Sequence, residues 1–270
     1  MKSKTNSVKA CLTLPLFLFL TLAGCVNNPD PVVTIPIITG PWQEINIGKL
    51  LENTTVQPLS TTTDCLVGKN FFFLDYTDEF YILDKSVEKI YRFGSNGDFL
   101  NSIGKTGKGP EEYQNLVDGI ITSTGIELLS GAYKMFIHSY QADGTYLGKR
   151  QVLNNRCFSF ILSPGLNSYF FYGGNNYNKI IQTDRSTGEK TDSLLKVVAG
   201  TQAFSFLTFS SSGGKSVLFC EPVINKVYEI TSSGIMEKYR LDFFYSRGLG
   251  LQASDNPVVI NLSINNIITN

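Results

Sequence analysis

The residue whose type and setting most clearly imply chemistry is Cys25. It follows Leu22-Ala23-Gly24 at the end of a leader in which Lys2, Lys4 and Lys9 precede the apolar run Cys11–Leu20. A basic stretch, an apolar stretch and small residues before a cysteine fit the site at which signal peptidase II cuts and the thiol is joined to lipid. The apolar run is too short for a comfortable membrane span, which needs ~20 residues. Residues 1–24 read as a lipoprotein signal peptide and Cys25 as the lipid attachment site, with palmitate among its acyl groups. The membrane is then a partner through that anchor. The expected location is the cell envelope, lipid-anchored, with the outer membrane as the first choice.

A second chemical candidate is the glycine-rich stretch Gly104 to Tyr113, containing Gly104, Gly107, Gly109, Pro110, Glu112 and Tyr113. A phosphate-cradling loop needs Gly-Lys-Ser/Thr leading into a helix. Here Gly109 runs into Pro110 and two acids, between strands, so the stretch reads as a tight structural crossover with Tyr113 packed beneath it. His138 is the only histidine, too few for histidine-bound zinc chemistry, and it lies mid-strand among apolar residues. Cys65, Cys157 and Cys220 are far apart, lack metal spacing and are odd in number, which suits small buried residues better than a disulfide framework. The acids Glu111 and Glu112 sit in a turn, where solvated charge is the default. No catalytic residue, metal ligand or cofactor is assigned.

Removing Lys2, Lys4 and Lys9 from 23 basic residues leaves 20 against 23 acids, so no basic nucleic-acid footprint is present. Charged residues make up 17% and aromatics 12%, a balance that favours strands.

Residues 25–41 comprise the lipidated cysteine and a tether containing Pro29, Pro31, Pro36 and Pro41, a composition unsuited to a helix or a central strand. From Trp42 onward the chain is repetitive. An apolar strand, a lysine opening a second strand, a Gly-containing turn and a third strand recur four times. The turn glycines Gly97, Gly144, Gly188 and Gly234 lie 47, 44 and 46 residues apart, and the lysines Lys89, Lys134, Lys179 and Lys226 lie 45, 45 and 47 apart. A further apolar segment precedes each unit, as in Phe71-Phe72-Phe73 or Phe204-Ser205-Phe206. Four strands every ~46 residues is the dimension of a propeller blade. The aromatic clusters, including Tyr169-Phe170-Phe171-Tyr172, should send alternate side chains into opposite blade interfaces.

These features resemble the six-bladed β-propeller lipoproteins of anaerobic Gram-negative bacteria, themselves similar to the NHL-repeat propellers. The resemblance rests on Tyr81-Ile82-Leu83-Asp84, Ile90-Tyr91-Arg92-Phe93, Asn96-Gly97-Asp98-Phe99-Leu100 and the Gly104–Tyr113 element. Gln57-Pro58-Leu59-Ser60-Thr61-Thr62 resembles the family's first strand. Where this chain has Glu111 the family more often has glycine. The expected fold is all-β, a propeller over residues 42–270, incomplete with four to five blades and C-terminally truncated relative to six. Its first strands, near 42–47 and 54–59, would then face water.

With the anchor at Cys25, the repeated blades, a rigid surface with variable loops, point to a membrane-anchored, non-catalytic module that binds an envelope protein or a carbohydrate ligand, with no nucleic acid. The alternative is a propeller hydrolase or lyase acting on carbohydrate or another extracytoplasmic substrate, with carboxylates at one mouth of the channel.

Overall fold

A computed structural model describes residues 31–39, 55–75, 79–173, 177–198, 208–212, 216–221 and 224–245. The signal peptide, Cys25, residues 42–47 and the C-terminal residues 246–270 lie outside these.

Strand β1 spans Val33–Thr39. Four antiparallel sheets of four strands follow. Blade 1 contains β2 (Phe71–Asp75), β3 (Phe80–Asp84), β4 (Lys89–Phe93) and β5 (Phe99–Ile103). Blade 2 contains β6 (Leu116–Thr122), β7 (Gly125–Gly131), β8 (Met135–Tyr140) and β9 (Tyr146–Leu153). Blade 3 contains β10 (Cys157–Ser163), β11 (Ser168–Gly173), β12 (Asn178–Asp184) and β13 (Lys190–Lys196). Blade 4 contains β14 (Phe209–Ser212), β15 (Ser216–Cys220), β16 (Lys226–Thr231) and β17 (Gly234–Tyr245). Each blade is a meander in sequence order, and the first strands β2, β6, β10 and β14 stand side by side as the inner strands. The four blades fit an incomplete six-bladed propeller.

Strand alternation drives the packing between blades. Tyr169 and Phe171 point toward blade 2, joining Val117, Leu129, Ile137 and Leu153. Phe170 and Tyr172 point the opposite way, joining Val217, Phe219 and Ile230 of blade 4. All four aromatics are buried, so none is free to stack on a sugar. At ~25 cal/mol per Å² of apolar surface, aromatic burial of this kind contributes most of what holds one blade to the next.

The third-to-fourth-strand turns add a second seam. Asn101 Nδ2 and Arg92 of blade 1 donate to Ala142 O in the blade 2 turn, both at 3.2 Å. Arg150 of blade 2 donates to Ser186 O in the blade 3 turn at 3.2 Å. In blade 1 the same turn meets residues 57–60. Ser60 N–H donates to Gly97 O at 2.8 Å and Gln57 Nε2 donates to Asn96 O at 2.6 Å. Gly97 holds φ +83°, and a Cβ there would collide with Pro58 O. Residues 57–60 thus occupy the place of a preceding blade's outer strand. Leu59, Cys65 and Val67 also pack on the face of blade 1 turned away from blade 2. From Gln57 to Ser60 the segment is bonded to the blade 1 turn, while Thr55, Val56, Gln57 and Pro58 remain exposed.

The proline-rich segment read as a tether contains β1, which pairs in parallel with β17 from Val33↔Tyr239 to Thr39↔Tyr245. Pro36 is tolerated because β1 is the edge strand of its sheet. Among the described residues no helix is long and apolar enough to cross a membrane.

Candidate functional site

The meander fixes which loops share a rim. In the described meanders the inner strands begin, the second-to-third-strand loops turn, and the crossovers from blade 1 to 2 and from blade 2 to 3 pass at one end of the blades. The hairpin turns of Gly97, Gly144, Gly188 and Gly234 lie at the other. We call these the crossover rim and the turn rim.

On the crossover rim the element from Gly104 to Tyr113 folds onto itself. Gly107 N–H donates to Tyr113 O at 2.9 Å, and Tyr113 N–H donates to Lys105 O at 3.0 Å. The Glu112 carboxylate accepts from Gly109 N–H at 2.9 Å and pairs with Lys105 at 2.8 Å. These partners, Lys105 first, hold its carboxyl below the usual range. Pro110 forms the outer bend. Tyr113 is buried, its hydroxyl donates to Glu88 O at 2.6 Å, and burial pushes that hydroxyl well above its usual range. Gly104 has φ +93°, and a Cβ there would strike the Tyr113 ring. Gly107 and Gly109 do not have positive φ. At Gly107 a Cβ would instead meet the Glu112 carboxylate, while at Gly109 the same group stands 3.1 Å away. The structure brings all six residues of the motif together, and the left-handed backbone angle belongs to Gly104.

Behind this element His138 is buried, its ring edge-on to Tyr113 at 5.4 Å. Burial, with a smaller contribution from Lys149, lowers its pKa to about 4, so the ring is a neutral packing group.

The inner strands carry a polar cluster that links three blades. Asp118 of β6 accepts from Phe160 N–H of β10 at 3.0 Å and from Gly119 N–H at 2.9 Å. Part of the residue reaches the surface, yet its carboxyl lies deep enough that burial pushes its pKa up to about 7, against the pull of Lys85 of blade 1. Burial lowers the pKa of Lys85 in turn, and its ammonium stands 5.0 Å over the Phe72 ring. Farther round, the Ser159 and Thr208 hydroxyls share a buried hydrogen bond of 2.6 Å between blades 3 and 4. Lys179 pairs with Glu221 across the same seam, both buried.

At the outer margin of this rim two loops end in exposed aromatics. Tyr133, between β7 and β8, is 84% exposed, and Tyr177, before β12, is 80% exposed. They lie in the corresponding loops of adjacent blades, Tyr133 one residue ahead of Lys134 and Tyr177 two ahead of Lys179. Val87, ahead of Lys89, is likewise exposed. Sequence reasoning passed over these tips, although an apolar residue shortly before each strand-opening lysine was a usable signal. Asp118 and Lys85 had none, because only packing brings them together. No group of His, Cys, Asp and Glu among the described residues could hold a metal ion.

Over residues 32–257 the sequence matches the model of a family described as a domain of unknown function, DUF4934. The chain belongs to the DUF4934 family. It is similar in structure to a putative exported protein of Bacteroides fragilis, at 19% identity and TM-score 0.63, over 79% of this chain and 60% of that one. A member of the DUF4221 family from Bacteroides vulgatus aligns at 13% identity and TM-score 0.49, over 68% of this chain and 60% of that one. An auxiliary nutrient binding protein of Bacteroides ovatus aligns at 11% identity and TM-score 0.43, over 62% and 40%. This DUF4934 chain therefore spans at most about three fifths of the solved structures it resembles. No curated protein matches it.

Proposed function

We propose that this DUF4934 protein is an exported, envelope lipoprotein anchored through Cys25, whose propeller is a non-catalytic module that binds a ligand or partner protein at its crossover rim. The leader and the Leu-Ala-Gly-Cys sequence support the anchor. One observation carries the binding site: the turns of blades 1, 2 and 3 are occupied by docking on the element before them, whereas the crossover rim presents Tyr133 and Tyr177 to solvent in the corresponding loops of adjacent blades. Tyrosine suits recognition because it offers a large, stiff apolar area with a polar tip. A photo-reactive residue placed at Tyr133 or Tyr177 in living cells should form discrete adducts, and one placed at Thr145 on the turn rim should not. Equal labelling from both rims, or none from either, would overturn the assignment. For the anchor, fatty-acid labelling of the wild type should vanish in Cys25→Ser.

A second reading, a hydrolase or lyase, has one observation in its favour. Asp118 is a carboxyl group whose pKa of about 7 suits a general acid near neutral pH. Turnover of a glycoside panel that disappears in Asp118→Asn would establish it over the binding reading.

A further inference from the structure

Where the Asn154-Asn155 crossover and the docked blade 3 turn come together, a cleft of about 440 Å³ opens on the perimeter between blades 2 and 3. Its floor is apolar and buried, from Leu153 at the end of β9 and Ile181 in β12. Its walls are exposed and polar. Gln151, Asn154 and Asn155 stand on the blade 2 side and Thr187 on the docked turn of blade 3. Gln151 Nε2 donates to Asn154 Oδ1 at 2.7 Å, which links two of the amides into one set of donors and acceptors. The charges at the margin, Glu189 and Lys190, are of opposite sign and leave the cleft without net charge.

We propose that this cleft is a saccharide-binding site. A sugar ring carries neighbouring hydroxyls that both donate and accept, and it has an apolar C–H face. Primary amides are the side chains that offer a donor and an acceptor side by side, and the buried aliphatic floor matches the C–H face. The volume falls within the range of small-molecule sites, which suits two or three sugar units. An extended peptide is the less favoured occupant, because the strand edge it would pair with is covered. The blade 3 turn sits on it, with Gly188 backed against Gln151 O and Arg150 holding Ser186 O. The cleft thus offers side-chain amides and little free backbone.

The test is amide chemical-shift mapping of the whole mature chain against maltotriose, cellotriose, N,N′-diacetylchitobiose and a β-linked galactobiose, with an extended threonine–valine peptide as competitor. At least one saccharide should shift the signals of residues 151–155 and 187–190, with Kd on the order of 1 mM. Replacing Asn154 and Asn155 together by alanine should weaken that binding at least about tenfold with no change in melting temperature, since both side chains are exposed. The Tyr133→Ala, Tyr177→Ala pair should leave it intact, which separates this site from the tyrosine tips. No shift with any saccharide, saccharide binding that survives loss of both asparagines, or shifts produced by the peptide alone would overturn the proposal.

Discussion

The two rims of the propeller are made from the same repeat and are used in opposite ways. On the turn rim, the blade 1, 2 and 3 turns contact the outer strand, or its stand-in, of the element before them. Gly97 and Gly188 are close enough to that neighbour's backbone that a Cβ would press on it. Backbone geometry leaves little room for variation there. On the crossover rim the matching positions differ from blade to blade: a self-bonded glycine element, a short asparagine link, exposed tyrosines and a carboxyl shared between inner strands. One rim builds the ring and the other is free to acquire chemistry, the usual division between scaffold and loops.

The largest expected effect comes from breaking the docked rim. Gly97→Val meets both a left-handed backbone and Pro58 O, so it should cost about 3 kcal/mol, read as a fall in denaturation midpoint. Gly234→Val sharpens the contrast: that turn has φ +126° but nothing within 4 Å. It should cost only the backbone share, about 1 kcal/mol. Equal losses at both would mean that docking contributes nothing.

Next in size is Tyr113→Phe, which leaves Glu88 O without its buried donor. It should lower stability by about 1–2 kcal/mol in the melting profile while leaving cleft binding unchanged.

The pH dependence offers a finer test. Asp118 has a folded pKa of about 7, above its ordinary 3.8. Its contribution is therefore greatest at low pH and is lost as pH rises through 7. His138 has a folded pKa of about 4, below its ordinary 6.5. Its contribution is complete above 6.5 and is lost as pH falls toward 4. The two slopes oppose each other and largely cancel from about pH 4.5 to 6.5. That leaves the wild-type profile there to carboxylates such as Glu79, Glu229 and Glu237, whose lowered pKa values cost stability only toward the acid end. Relative to wild type, the melting temperature of Asp118→Asn should fall by about 4 °C or more as pH drops across that window, and that of His138→Gln should rise. Parallel profiles for all three proteins would refute the opposition. The smallest effect is expected at the rim tips, where Tyr133→Ala and Tyr177→Ala should each move stability by less than about 0.5 kcal/mol.

How much of this was legible in the sequence follows from range. The blades were visible because each is local: lysine, turn glycine and strand recur within one period, and the turn chemistry of Asn96-Gly97 and Asp143-Gly144 marks their hairpins. The crossover motif could be read as a structural element for the same reason. Its internal geometry could not, since spacing alone does not show that Gly104, rather than Gly107 or Gly109, carries the positive φ. Strand β1 was hidden because Pro36 argues against a strand unless the strand is at an edge, and edge position is set by the distant β17. The Lys85–Asp118–Phe160 cluster joins three blades, and no single repeat contains its signal.

The pairing of β1 with β17 also bears on the order in which the molecule can form. Val33 is synthesised long before Tyr239, and its ladder partner does not exist until blade 4 is complete. Blades 1 to 3 can each close through local hairpins in microseconds, but this parallel ladder carries the longest loop-closure entropy in the described chain. Joining β1 to blade 4 is therefore expected to come late in folding. Until it happens, a proline-bearing β1 is a poor template for other strands, which protects the half-folded chain from association.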